Sequence, residues 1–255
     1  MFVKAFKKPI ALFCSLSLVL LVALCVLVKS SGAYVVYSGG TVRKLPIYKV
    51  QRNDNKISIS FDCAYGADYT HKLLDVLDEY DVKCTFFCVE FWIKKFPDVA
   101  NEIVSRGHEI GTHSKTHPNM SKLSVSEIRE ELSSSINAIE SVTNKKVELF
   151  RAPFGDYDND VIETAESMGL FTIQWDVDSI DWKDISAKEI VNRVVKKTES
   201  GSIILCHNNG LHTHEALAYV LSNLQDKGYE FVKISDLIYK ENYKINSLGV
   251  QIKND

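Results

Sequence analysis

Beyond residue 56 the chain alternates short apolar runs with stretches of helical period. Ile57, Ile59 and Phe61 alternate with polar residues and predict a strand over 57–62. A helix is expected over 70–80, a strand over 83–89, a helix over 91–106 broken at Pro97, and a strand over 108–112. Val125, Ile128, Leu132, Ile136 and Ile139 then form one apolar stripe on a helix opened by Ser124, whose spacing to Glu127 is that of a capping box; Ser186 and Glu189 repeat the device. Further strands are expected over 146–150, 171–176, 202–206 and 230–234, with helices near 158–168, 187–199 and 214–227. This β/α alternation predicts an α/β fold with a mainly parallel sheet, closed or wrapped by helices.

The amino terminus follows a different pattern. Lys4, Lys7 and Lys8 precede an uncharged run from Pro9 to Val28, closed by Lys29. A run of this length matches the hydrocarbon layer as a helix, whereas the apolar region of a cleaved signal is usually about 7–15 residues. A retained signal-anchor is therefore favoured over a cleaved signal peptide, with the lysines holding the amino terminus in the cytoplasm and the remainder outside. The expected division is a cytoplasmic stub and transmembrane helix over 1–32, a stalk over 33–55, the domain over 56–240 and a tail over 241–255.

Charge narrows the partners. Four of the 30 lysines and arginines precede Tyr34 and none of the 33 acidic residues does, so the net charge of the remainder is about −7. That balance argues against nucleic acid or an anionic surface as the main partner. Cys63, Cys84, Cys88 and Cys206 lie in or beside apolar strand patterns, without the spacing of a disulfide framework, and are expected as buried thiols.

Chemistry-bearing residues recur where the strands end, which is where parallel α/β folds place their sites. Asp62 follows the first strand, His113 and His117 follow HEIGT, Arg151 follows VELF, Asp178 and Asp181 follow FTIQWDV, and His207 follows SIILC. Singly each has an ordinary explanation: a turn carboxylate, a surface histidine pair, a solvated arginine. Together they supply two imidazole ligands, a carboxylate base, an arginine to hold it and a further histidine as acid, the requirements of metal-assisted hydrolysis.

The series SFDCAYG, HSKTH, RAPFG, DSIDW and ILCH resembles the five motifs of the NodB-homology polysaccharide deacetylases, carbohydrate esterase family four, from about Lys56 to Ile238. The form of the first motif is closest to the sporulation-associated bacterial branch. The resemblance implies a distorted (β/α) barrel that removes acetyl groups from N-acetylated sugars of a cell-wall glycan, peptidoglycan first, with a divalent metal that is often zinc. It further implies that His113 and His117 hold the metal, that Asp62 is the base, that Arg151 pairs with Asp62 and is anchored by Asp181, and that His207 is the acid. Trp182 and Leu205 match the pocket for the acetyl methyl group, and Phe154 joins them as a substrate contact. Ala152 replaces the usual proline of the third motif, and Cys63 stands where most members carry a metal-ligating aspartate. The third ligand is left open between Cys63, Asp68 and water. Two other readings stand beside the deacetylase: a glycan-binding pseudoenzyme and an esterase acting on O-acetyl groups.

Overall fold

The computed structural model describes residues 42–254, and the body considered below begins at Arg43. Its organising element is β2, Lys56–Cys63, of which every residue but the first is buried. A strand buried on both faces needs neighbours on both edges. β2 pairs in parallel with β3 (Thr85–Cys88) on one side and with β8 (Ile203–His207) on the other, and its first residues also meet β9 (Glu230–Phe231).

The order β6-β5-β4-β3-β2-β8-β7 completes a parallel sheet, with β4 at Glu109–Thr112, β5 at Leu149–Phe150, β6 at Phe171–Thr172 and β7 at Val177–Asp178. β6 and β7, at its two ends, do not pair with each other. The segment before β2 reaches across instead: Ile47 bridges to Ile173 just beyond β6, and Lys49 to Ser202 just before β8. The sheet is thus a curled half-barrel.

Side-chain parity along β2 divides the interior. Ile57, Ile59, Phe61 and Cys63 belong to the larger core shared with the helices Thr70–Glu79, Pro97–Ser105, Val125–Thr143 and Ala187–Lys197. Ser58, Ser60 and Asp62 therefore face the opposite, concave side. There Phe87, Leu149, Ile173 and Ile203 pack with Ile47, Val50 and the short helix Ile234–Leu237 in a second, smaller core. Gly111 permits this inner packing, because a Cβ on it would lie 2.8 Å from the Phe87 ring and 2.9 Å from the Leu149 carbonyl.

The expected helices form, with both capping boxes closed and the 91–106 helix divided at Phe96–Pro97. Val125 departs from the stripe predicted for it: at the first turn it is 47% exposed, while Ile128, Leu132 and Ile139 are buried. The expected stalk and tail also read differently. Within 33–55, Ile47 and Val50 are buried and β1, Lys49–Val50, pairs in parallel with β11, Val250–Lys253. β11 in turn pairs antiparallel with β10, Tyr243–Ile245, so the last residues form a three-stranded sheet rather than a free tail. Burial of two apolar side chains and a ladder of backbone bonds outweigh the weak local pattern of these segments. The expected membrane segment, 9–28, lies outside the described residues, and no helix among those described is long and apolar enough to cross a membrane.

Candidate active site

Asp62 and His207 stand side by side in register at the carboxyl ends of β2 and β8, on the concave face. Asp62 Oδ1 accepts a 2.8 Å hydrogen bond from Arg151 Nη1, and its Oδ2 is 3.5 Å from His113 Nε2. Burial would raise the Asp62 pKa, but the charge and hydrogen bond of Arg151 outweigh it, and the carboxyl is held below its usual range. Asp62 is thus an ionised, nearly buried carboxylate.

Arg151 is fully buried and stacks over Phe87 at 4.1 Å. Its second donor goes to the Gln174 carbonyl, Nη2 to O at 3.2 Å. This corrects the anchoring expected from Asp181. Asp181, also fully buried, instead holds His207: its Oδ1 accepts from His207 Nδ1 at 2.7 Å, and its Oδ2 accepts from the His207 backbone N–H at 2.8 Å and from Thr213 Oγ1 at 2.6 Å. Burial would lower the His207 pKa, and the bond and charge of Asp181 raise it above its ordinary value. The turn presenting Asp181 is strained, since Ile180 and Asp184 both have positive φ and Ile180 is β-branched.

The two imidazoles of HSKTH meet edge to face with centroids 4.9 Å apart. His113 Nδ1 donates to the Arg151 carbonyl at 2.8 Å, which fixes the tautomer and leaves Nε2 with its lone pair. Burial keeps both rings neutral, with the His117 pKa lowered to about 4, and His117 Nδ1 is buried without a hydrogen-bond partner. Neutral imidazoles, one backed by a carbonyl and one with an orphaned nitrogen, fit a divalent metal.

They fit it as a pair. Among the described residues, no three histidine, cysteine or acidic side chains are arranged to hold a metal. The strand continues through Cys63, which pairs in register with Cys88, so parity turns its thiol into the outer core. Burial there pushes its pKa well up, away from the thiolate a metal requires. Asp68 is exposed, with its backbone N–H donating to Asn209 Oδ1. All four cysteines of the described residues are free and buried, as expected.

Leu205 is buried on the same face of β8 as His207, one pleat below it. Trp182 follows Asp181 in the chain and is 57% exposed, with Lys183 Nζ 4.9 Å from its ring centroid, and Phe154 lies edge-on to His117 at 4.5 Å. Tyr65, tilted against Phe91 at 5.9 Å and edge-on to His117 at 6.0 Å, extends this aromatic rim. Sequence reading missed Gln174, Thr213, Tyr65 and Phe91; only Tyr65, inside the first motif, carried a signal. Asn208 ties the loop after β2 to the following helix, donating to the Gly66 carbonyl and Thr70 Oγ1, both at 3.0 Å. Gly66, at φ 68°, admits no side chain, because a Cβ would lie 2.5 Å from Asn209 Nδ2.

The curled parallel sheet thus brings a carboxylate, a histidine and an imidazole pair together at its strand ends, the arrangement of an α/β protein with its site on the carboxyl edge of the sheet. The polysaccharide deacetylase profile matches residues 49–173. The chain is 33% identical to a peptidoglycan-N-acetylglucosamine deacetylase of Bacillus cereus over 196 residues, 75% of this chain and 92% of the relative. It therefore belongs to the polysaccharide deacetylase family of the NodB-homology type. It is also 34% identical to the Bacillus subtilis protein YlxY over 76% of this chain, and spans 60% of that relative's length. Among solved structures, a CE4 family pseudoenzyme from Bacillus anthracis is similar with a TM-score of 0.73 and 37% identity, covering 75% of this chain and 68% of the other. A mutant of that pseudoenzyme is described as having restored enzymatic activity.

Proposed function

We propose that this chain is a metal-dependent N-deacetylase of a cell-wall polysaccharide, peptidoglycan being the expected substrate. One observation carries the reading: Asp62 held by Arg151 and His207 held by Asp181 are two separately supported side chains of opposite protonation, adjacent in register and beside two neutral imidazoles. The relatives named as peptidoglycan deacetylases support the substrate class. The form of the first motif supports the finer reading, a role in the wall of the sporulating cell.

His113 and His117 would hold the metal. A divalent ion there, zinc first, supplies Lewis acidity toward the acetyl carbonyl and acidifies the attacking water. Asp62, kept ionised by Arg151, takes the proton of that water. His207, kept protonated by Asp181, delivers a proton to the departing amide nitrogen as the C–N bond breaks, and acetate and the free amine of the sugar are released. Leu205 and Trp182 border the space for the acetyl methyl group.

A second reading is favoured by Cys63. The Cys63 thiol lies in the core, and among the described residues no third side chain joins the imidazole pair in an arrangement to hold a metal, a condition compatible with a glycan-binding pseudoenzyme. The two are separated by incubating the purified full chain with peptidoglycan and with chitin oligomers, with and without added zinc, and measuring acetate. Deacetylation that falls about 10²–10⁴-fold in His207→Ala and in Asp62→Asn supports the enzyme. Glycan binding without acetate release at saturating zinc supports the pseudoenzyme.

A further inference from the structure

The backbone between the two imidazoles does not hold itself in place. Ser114 has φ 73° and His117 φ 60°, two non-glycine residues in the left-handed region within four positions. Such a loop persists only where its surroundings over-determine it. Its local bonds are few: the His117 N–H donates to Ser114 Oγ at 3.0 Å, and the Ser114 N–H to Thr112 Oγ1 at 3.2 Å. The Ser114 carbonyl also accepts from the Glu90 N–H at 3.1 Å, and the restraint on residues 115 and 116 comes from the helix Val125–Thr143. Glu131 Oε2 accepts the backbone N–H groups of both Lys115 and Thr116 at 2.8 Å, and its Oε1 accepts Thr116 Oγ1 at 2.7 Å. One turn further on, Ser135 accepts from Thr112 Oγ1 at 2.7 Å. Two successive amides thus converge on one carboxylate oxygen, the geometry by which backbone N–H groups bind an anion. The Lys115 ammonium is turned to Glu130, at 2.9 Å, so the Glu131 carboxylate is directed at the loop.

We propose that Glu131 is a positioning residue of the metal site, fixing the separation and aim of His113 and His117 and so setting the affinity for the ion. This rests on the reading of those two imidazoles as metal-binding. Loss of the carboxylate releases three hydrogen bonds at the centre of HSKTH and frees the loop to relax from its left-handed positions, and the two nitrogens then no longer share one point.

The test is zinc affinity of the full chain, by competition with a chelator, alongside thermal unfolding of each metal-free variant. Glu131→Ala is expected to bind zinc roughly 10–100-fold more weakly, the range typical of groups that orient a metal ligand from behind. Glu131→Gln keeps a carbonyl oxygen for the two amides and should recover most of that loss. Glu130→Gln, which breaks only the Lys115 pair, should stay within about twofold of wild type, as expected for an exposed ion pair. Should Glu131→Ala fail to fold, Thr116→Val removes only the Oε1 contact and is expected to weaken zinc roughly threefold or more, the scale of one hydrogen bond. A folded Glu131→Ala protein with wild-type zinc affinity, or a folded Thr116→Val protein with none of this loss, overturns the clamp alone. A wild-type chain whose zinc binding is indifferent to His113→Ala overturns the clamp and the metal reading together.

Discussion

Asp181 is a fully buried carboxylate whose two oxygens are committed to His207 and Thr213. Because Asp181 binds His207, the pKa of the acid depends on it. The proposed mechanism uses His207 in its protonated form, so kcat/KM should decline as pH rises through the raised His207 pKa. Asp181→Asn removes the negative charge, lowers that pKa, and should move the alkaline limb to lower pH while reducing kcat; an unmoved limb in a pH–rate profile would show that another group titrates there. Cys63→Ser should change zinc affinity less than tenfold, because the thiol lies in the outer core, whereas His113→Ala should abolish binding; titration against a chelator checks both. The identities of Asp62, Arg151, His113, His117 and His207 were legible in the sequence, since strand ends and motif spacing advertise them. The partner of Asp181 was not: Arg151 and His207 both lie at strand ends, and sequence spacing is silent on which one a fully buried carboxylate meets. Gln174 acts through a backbone carbonyl, which carries no residue-specific signal at all.

At the scale of elements, the long periodic segments declared themselves. The capping boxes at Ser124 and Ser186 marked helix starts to the residue. What escaped were β1, β7, β10 and β11, strands of two to four residues that gain their conformation from pairing rather than from their own composition. Short contacts between elements also carry the site. Gly111 of β4 lies against Phe87 of β3, the ring on which Arg151 stacks. Gly111→Ala should therefore destabilise the fold by about 1–3 kcal/mol as an overpacked core site. It should also lower kcat by displacing Arg151 from Asp62. Thermal unfolding and turnover measured on the same preparation would test the link; stability loss with intact kcat would show that the ring absorbs the methyl group without moving the guanidinium.

For the molecule as a whole, the terminal strands belong to the folded body. Deleting residues 243–255 removes the partner of β1 and the buried Gln251, whose amide bonds both ways with the Tyr239 backbone. A loss of about 2 kcal/mol would lower Tm by roughly 4–8 °C for a domain of this size, and an unchanged Tm would mean that these strands are ornamental. Retention of residues 9–28 as a membrane helix is proposed from sequence, and protease applied to intact protoplasts should release the folded domain and leave that segment behind. The register joining β2 to β8 has a consequence in time. Ser60 and Ile204 are bonded across a separation of 144 residues, and closing so long a loop is entropically costly and slows folding. A chain that emerges amino terminus first must keep β2, the longest of the described strands, waiting unpaired on one edge until β8 has followed. A nascent fragment that ends before β8 lacks His207 and so cannot assemble the proposed site, and the waiting strand is the point at which a chaperone or a protease would compete for the growing chain.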